Sequence, residues 1–130
     1  MVFREQKIYY EKCFDNYRKF KLSLDPHLYC TDCDQIEIRG DKIVALLELK
    51  SFENSNAIKP NLNIILKSKN FQLKILNEIA TKINAWLYLV VYTENLQYFL
   101  VYDCDANAIL GEYNQEQYVD FLKNLKCKNN

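Results

Sequence analysis

Two acidic residues and a lysine stand at a spacing that could support hydrolysis of a phosphodiester bond. In the stretch DCDQIEIRGDKIVALLELK, residues 32–50, Asp34 is followed after thirteen residues by Glu48, and Lys50 lies two residues further on. Alternate residues of a strand project to one face, so Glu48 and Lys50 would lie together, and hairpin pairing would bring Asp34 beside them. Carboxylates suit Mg²⁺ or Mn²⁺, and a lysine can orient a water or stabilise charge on phosphate.

Two strands joined by a turn at residues 39–42 must position these side chains. The first strand is expected to start at residues 28–30 and to continue, after a bend, to Ile38. The second, Ile43 to Lys50, is apolar until Glu48, which is typical of a strand covered on both faces. An acid and a lysine at the end of such a strand are costly unless they are paired or bind a metal. This cost is the main argument for a site here.

Helices are predicted on both sides of this hairpin. Residues 2–21 show apolar positions at three- and four-residue steps, and this amphipathic helix is expected to end before Pro26. Residues 51–69 are predicted to form a loop with a short helix around 62–67. Residues 71–83 are predicted to be helical, with Asn70 as N-cap. The apolar face of that helix is expected to comprise Ile75, Leu76, Ile79, Ala80 and Ile83.

The second half of the chain predicts two core strands and a final helix. Residues 86–92 and 98–103 are aromatic and β-branched runs, and residues 114–126 form an amphipathic pattern that starts with a capping box at Asn114 and Gln117. The order helix, strands, helix, strands, helix predicts an α/β fold with helices on both faces of a mixed sheet. A chain of 130 residues predicts a single domain, residues 1–130.

The D-x13-E-x-K pattern, with the apolar run IVALL leading into ELK, resembles the PD-(D/E)XK nuclease superfamily over residues 2–103. That superfamily includes restriction-type endonucleases, Holliday-junction resolvases and small archaeal, viral and phage nucleases. One departure is that no proline precedes Asp34. The resemblance implies a restriction-endonuclease-like αβββαβ core and Mg²⁺- or Mn²⁺-dependent cleavage of DNA, with structure or end specificity preferred over sequence specificity because the domain is small. It also implies a possible homodimer.

The resemblance also implies roles for residues outside the hairpin. Asp34, Glu48 and Lys50 would be catalytic together with Gln72, because related nucleases often place a glutamine or lysine on the helix that follows the hairpin. Metal ligands would be Asp34 and Glu48, joined by a glutamate of the first helix. Glu11 is the preferred candidate for that glutamate, and Glu5 is its rival; either could be an ordinary solvated carboxylate.

The spacing leaves Asp32 as a second candidate for the aspartate ligand, since it shares a strand face with Asp34. Asp34 is preferred because it lies nearer the paired region and leads directly into the alternating strand. Asp32 lies inside the CxxC of residues 30–33, and no second cysteine or histidine pair completes a zinc site there. The five cysteines are therefore expected to be reduced and partly buried.

Charge and hydropathy restrict the setting in which the chain acts. Lysine plus arginine and aspartate plus glutamate both number 17, but the net charge runs +3, −3, +3 and −3 over residues 1–22, 23–50, 51–85 and 86–130. This pattern fits an acidic pocket flanked by phosphate-contacting helices, or ordinary solvated faces. No membrane span or signal peptide is apparent, which predicts the cytoplasm, or the host cytoplasm for a viral chain. The alternative function is a catalytically inactive nucleic-acid-binding or regulatory protein on the same fold.

Overall fold

The structure is a computed structural model and describes residues 15–25 and 31–128. Contacts within the chain divide it into two units, Met1–Thr31 and Asp32–Asn130. In the first unit, residues 15–22 are helical and are called α1. The Ser23 N–H and hydroxyl both donate to the carbonyl of Phe20, at 3.1 and 2.6 Å, and close the helix. The predicted helix end before Pro26 is thus confirmed, whereas its predicted start lies outside the described residues.

The second unit contains a five-stranded mixed sheet whose strands follow one another in chain order. The strands are β1 (Gln35–Arg39), β2 (Lys42–Phe52), β3 (Trp86–Thr93), β4 (Phe99–Asp103) and β5 (Ala108–Tyr113). β2 and β3 are parallel, and the other neighbours are antiparallel. A crossover connection must join the parallel strands β2 and β3, because a short hairpin can join only antiparallel strands.

Helices cover both faces of the sheet. The crossover consists of a 3₁₀ turn (Ser55–Ala57) followed by α2 (Ile58–Ser68) and α3 (Asn70–Ile83). These two helices bury Leu62 and Leu76 against the face of the sheet that carries Leu46 and Leu89. The last helix, α4 (Gln115–Lys123), contributes aromatic residues to the opposite face. The predicted α/β class, with helices on both sides of a mixed sheet, is confirmed.

The connection between β2 and α3 is more helical than the sequence predicts. The short helix expected around residues 62–67 is confirmed, but α2 begins earlier, at Ile58, so the loop expected for residues 58–61 is wrong. Pro60 is the third residue of that helix, where a backbone N–H has no intrahelical partner in any case. Asn70 is the first residue of α3 and not its N-cap; Lys69 takes that position without a side-chain capping bond.

The buried side of α3 also differs from the expected one. Leu76 and Ala80 are buried as predicted, and Leu73 packs beside them. Ile79 and Ile83 are 45% and 41% exposed, so their assignment to the buried face was wrong. The helix carries two overlapping apolar rows, and the row that contains Leu73, Leu76 and Ala80 faces the sheet.

The β1–β2 hairpin is short and contains one irregularity. Its two-residue loop is Gly40-Asp41, and Gly40 has a φ of +66°, a conformation that glycine adopts without a steric cost. Glu37 pairs with Ala45 and Ile38 pairs with Ile43, so Val44 is an extra residue on β2. β1 starts at Gln35, so residues 31–34 are not in a strand, and the expectation that Asp32 and Asp34 share a strand face is wrong. Residues 28–30, where the strand was expected to begin, lie outside the described residues.

The end of the chain confirms the predicted core strands and capping box and adds one strand. In α4, the Gln117 N–H donates to the Asn114 side chain while the Gln117 side chain accepts from the Asn114 N–H. The helix ends at Lys123, earlier than the predicted residue 126. β5 is not predicted by the sequence pattern. Within the described ranges, no helix is long and apolar enough to cross a membrane.

Candidate active site

The hairpin brings Asp34 and Glu48 together. Gln35 pairs with Leu47, so the next position outward places Asp34 opposite Glu48. The Asp34 N–H donates to Glu48 Oε1 at 3.1 Å, and the Leu49 N–H donates to Asp34 Oδ2 at 2.9 Å. Each acid is therefore held by a backbone amide of the opposite segment. This reciprocal arrangement fixes both carboxyl groups at one end of the β1–β2 pair.

Glu48 is almost completely buried, although it is acidic. Its exposed fraction is 1%, and its face of β2 is the one covered by α2 and α3. Burial, with a smaller contribution from the Asp34 carboxylate, raises the pKa of Glu48; the Asp34 N–H and Lys69 act in the opposite direction. A buried carboxylate of raised pKa between strand and helices is a costly feature, and such features concentrate at functional sites.

Lys69 is the cation that the structure places at Glu48. Its Nζ lies 3.4 Å from Glu48 Oε2, and its side chain is 21% exposed. Lys69 connects the end of α2 to the start of α3. A contact between residues 48 and 69 has no local sequence signal, because it depends on how the crossover folds back over β2.

Lys50 lies two residues beyond Glu48 on the same strand, opposite Val91 of β3. Its side chain is exposed. Within the part of the chain that the structure describes, no hydrogen bond or ion pair engages its ammonium group. The alternation of β2 puts Lys50 on the same face as Glu48, although Lys50 is exposed and Glu48 is buried.

Gln72 connects the first turn of α3 to the segment before β1. Its Nε2 donates to the backbone carbonyl of Asp32 at 3.0 Å. Between the two aspartates, the Cys33 thiol donates to the carbonyls of Gln35 and Leu47, and burial raises its pKa. Gln72 thus lies next to the segment that carries Asp34 and contacts its backbone, while the side chain of Asp32 is exposed.

The first-helix glutamates cannot be placed, because Glu11 and Glu5 lie outside the described residues. Among residues 15–25 and 31–128, no group of three or more histidine, cysteine, aspartate or glutamate side chains could hold a metal ion. The described site therefore offers two carboxylates, Asp34 and Glu48, for a cation. Mg²⁺ usually keeps several waters and takes one or two protein carboxylates, so this donor set fits Mg²⁺ or Mn²⁺.

Comparison with known proteins finds similarity to a short part of two larger proteins. No protein-family model and no solved structure matches the chain. Proteins of Toxoplasma gondii and Neospora caninum, each named DNA-directed RNA polymerase subunit beta, are both 27% identical over 124 residues. These matches cover 92% of this chain and 10% of each relative, so the chain spans about a tenth of their length.

Proposed function

We propose that the protein is a metal-dependent nuclease that hydrolyses phosphodiester bonds of DNA. The observation that carries the proposal is the pairing of Asp34 with the buried Glu48 at the end of the hairpin, with Lys50 on the same strand. This arrangement is the one that the D-x13-E-x-K pattern requires if its acids are to act together. We further propose that the α/β fold is a restriction-endonuclease-like αβββαβ core.

Each residue of the proposed site has a distinct task. Asp34 and Glu48 would hold Mg²⁺ or Mn²⁺; the third carboxylate that the resemblance implies, Glu11, lies outside the described residues. A bound divalent cation supplies a polarised phosphate and a water of lowered pKa. Asp34 Oδ2 accepts a hydrogen bond from the Leu49 N–H. A carboxylate has about four lone-pair sites, so Asp34 still has lone pairs that can bind a cation.

Lys50 and Gln72 would act around the acid pair. The exposed Lys50 ammonium would orient the attacking water or stabilise negative charge that develops on the phosphate. Gln72 would keep the segment from Asp32 to Asp34 in place through its bond to the Asp32 carbonyl. Fixing the ligand-bearing backbone in this way preserves the geometry that catalysis requires.

The proposed partner is DNA, with branched, single-stranded or end-containing forms preferred. The small unit leaves little surface for sequence readout beside the site, which favours recognition of nucleic-acid shape. The similarity to a short part of RNA polymerase beta subunits, whose name refers to DNA-directed synthesis, is in line with a nucleic-acid partner. A homodimer would allow two sites to cut two strands. The expected compartment is the cytoplasm, or that of the host if the chain is viral.

A cleavage screen tests the proposal. Purified protein is incubated with plasmid, linear, single-stranded and branched DNA, and with RNA, in Mg²⁺, Mn²⁺ or EDTA. We expect cleavage of at least one DNA form with a divalent cation and none in EDTA, and loss of that cleavage in Asp34→Asn and Glu48→Gln. Glu53→Gln, an exposed acid just after β2, is the matched control. Cleavage that persists in both site variants would refute the assignment.

A second candidate is a nucleic-acid-binding or regulatory protein without catalysis. Two observations favour it: Lys69 already pairs with Glu48, and the described residues bring only two carboxylates together. In that case the Asp34–Glu48–Lys69 group would be a structural network. Retained binding of DNA in EDTA, combined with no cleavage of any form in Mg²⁺ or Mn²⁺, would support this alternative against the nuclease.

A further inference from the structure

We propose that Lys69 holds the place of the metal at Glu48 and competes with it, so that this lysine sets the affinity of the site for divalent cations. The inference rests on the proposed function, because it concerns the same carboxylate. Under this proposal, the Lys69 ammonium must leave Glu48 Oε2 before that oxygen can bind a divalent cation.

The backbone of Lys69 is fixed while its side chain is not tightly held. The Lys69 N–H donates to the Ile65 carbonyl at 3.0 Å, and the Leu73 N–H donates to the Lys69 carbonyl at 2.8 Å. By contrast, the ammonium lies 3.4 Å from Glu48 Oε2, beyond the roughly 2.7–2.9 Å of a strong charge-assisted hydrogen bond. The long contact indicates an ion pair that can be exchanged without moving the helices.

The burial of Glu48 explains why its charged form needs a cation beside it. A carboxylate with 1% exposure has almost no water to solvate its charge, so a partner must compensate it. Lys69 supplies that partner when no metal is bound. A divalent cation and an ammonium group at the same oxygen repel each other, so both cannot remain.

The displaced Lys69 ammonium can move into solvent. The Lys69 side chain is partly exposed, and a lysine can keep its alkyl chain packed while its charged end moves to water. Because its backbone stays fixed at the α2–α3 junction, the released ammonium would remain near the site. There it would be available to an anionic group of the substrate, which couples metal binding to phosphate binding.

Titration of Mn²⁺ into the full chain, without nucleic acid, tests the inference. Lys69→Met removes the competing charge and keeps a similar length, so we expect Mn²⁺ to bind roughly tenfold tighter than to the unmodified protein, as monitored by isothermal calorimetry. Lys69→Arg keeps the charge and presents a planar fork that matches a carboxylate, so Mn²⁺ should bind several-fold more weakly. Lys67→Met, an exposed lysine of the last turn of α2, should leave the affinity unchanged.

A second readout is thermal stability in EDTA and in Mn²⁺. Lys69→Met should melt below the unmodified protein in EDTA, because Glu48 loses its compensating charge, and should gain more from added Mn²⁺. If Lys69→Met cannot be purified folded, the order of Lys69→Arg, unmodified protein and Lys67→Met in Mn²⁺ affinity still decides.

The outcomes separate the inference from the proposed function. Mn²⁺ affinity that depends on Asp34 and Glu48 but is equal or weaker in Lys69→Met, or not weakened in Lys69→Arg, overturns the competition and leaves the metal site standing. Absence of such binding in every variant overturns the metal site and the competition with it. Binding that appears in Lys69→Met and not in the unmodified protein supports the competition directly.

Discussion

Replacing Glu48 by glutamine is expected to stabilise the metal-free protein. Glutamine keeps an oxygen that can accept from the Asp34 N–H, but it carries no charge into a site that is 1% exposed and that already contains the Asp34 carboxylate. Lys69 loses its partner, but its partial exposure lets the ammonium reach water. The neutral side chain is therefore expected to be favoured, in agreement with the raised pKa of Glu48.

The size of the effect follows from two opposing contributions. Removal of a buried charge relieves a desolvation cost of several kcal/mol. It also forfeits the charge-assisted bond from the Asp34 N–H, worth about 1.5–3 kcal/mol, and the longer, weaker ion pair with the Lys69 ammonium. A net gain of roughly 1 kcal/mol is expected, which for a chain of this size raises the Tm by roughly 3–5 °C.

The assay is thermal denaturation in EDTA between pH 5 and pH 8, followed by circular dichroism. Because the pKa of Glu48 is raised on folding, the unmodified protein becomes more stable as the pH falls through that raised pKa, whereas the glutamine variant does not gain in this way. The stability difference should therefore be largest at pH 8 and shrink toward pH 5. Glu53→Gln should show no such trend. A Tm of Glu48→Gln at or below the unmodified Tm at pH 8, or an offset independent of pH, would refute the reasoning.

The remaining predictions concern cleavage. Lys50→Ala should lower cleavage by roughly a hundredfold or more, because the charge acts where phosphate charge develops; its Tm should barely change since the side chain is exposed, and near-normal cleavage would remove Lys50 from the mechanism. Asp34→Asn should eliminate cleavage, whereas Asp32→Asn should reduce it by roughly tenfold to a hundredfold, measured in single-turnover assays. A Mn²⁺-bound structure with Asp32 and Glu48 but not Asp34 at the metal would reverse this assignment. Gln72→Ala removes the bond to the Asp32 carbonyl and should cost roughly tenfold in rate; a rate unchanged within error would show that the bond has no functional part.

The hairpin could be predicted because its residues carry local signals. The apolar run before Glu48 marks a strand covered on both faces, and Gly40 marks the turn, so the neighbourhood of Asp34 and Glu48 follows from simple pairing. Trp86–Thr93 and the capping box of α4 are predictable for the same reason.

Other parts depend on tertiary structure that no local pattern contains. α3 offers two apolar rows, and only the packed sheet selects Leu76 and Ala80 over Ile79 and Ile83. β5 is mostly exposed and contains Gly111, which weakens a strand signal. The turn before β5 is a clearer sign of this strand than the strand residues themselves, because the Asp103 carboxylate accepts hydrogen bonds from two following backbone amides. The contact of Lys69 with Glu48 depends likewise on the fold of the crossover.

The extra residue on β2 decides which side chain Asp34 meets. Next to the turn, Arg39 pairs with Lys42 and Ile38 with Ile43; if this register continued through Val44 without a bulge, Asp34 would lie opposite Leu47. Leu47 belongs to the apolar layer under α4, so Asp34 would then lie opposite an apolar side chain and not opposite Glu48. The one-residue bulge restores Glu48 as its neighbour. The thirteen residues between Asp34 and Glu48 therefore include the bulged residue. A homologue without the bulge would place the same two acids opposite each other with twelve residues between them.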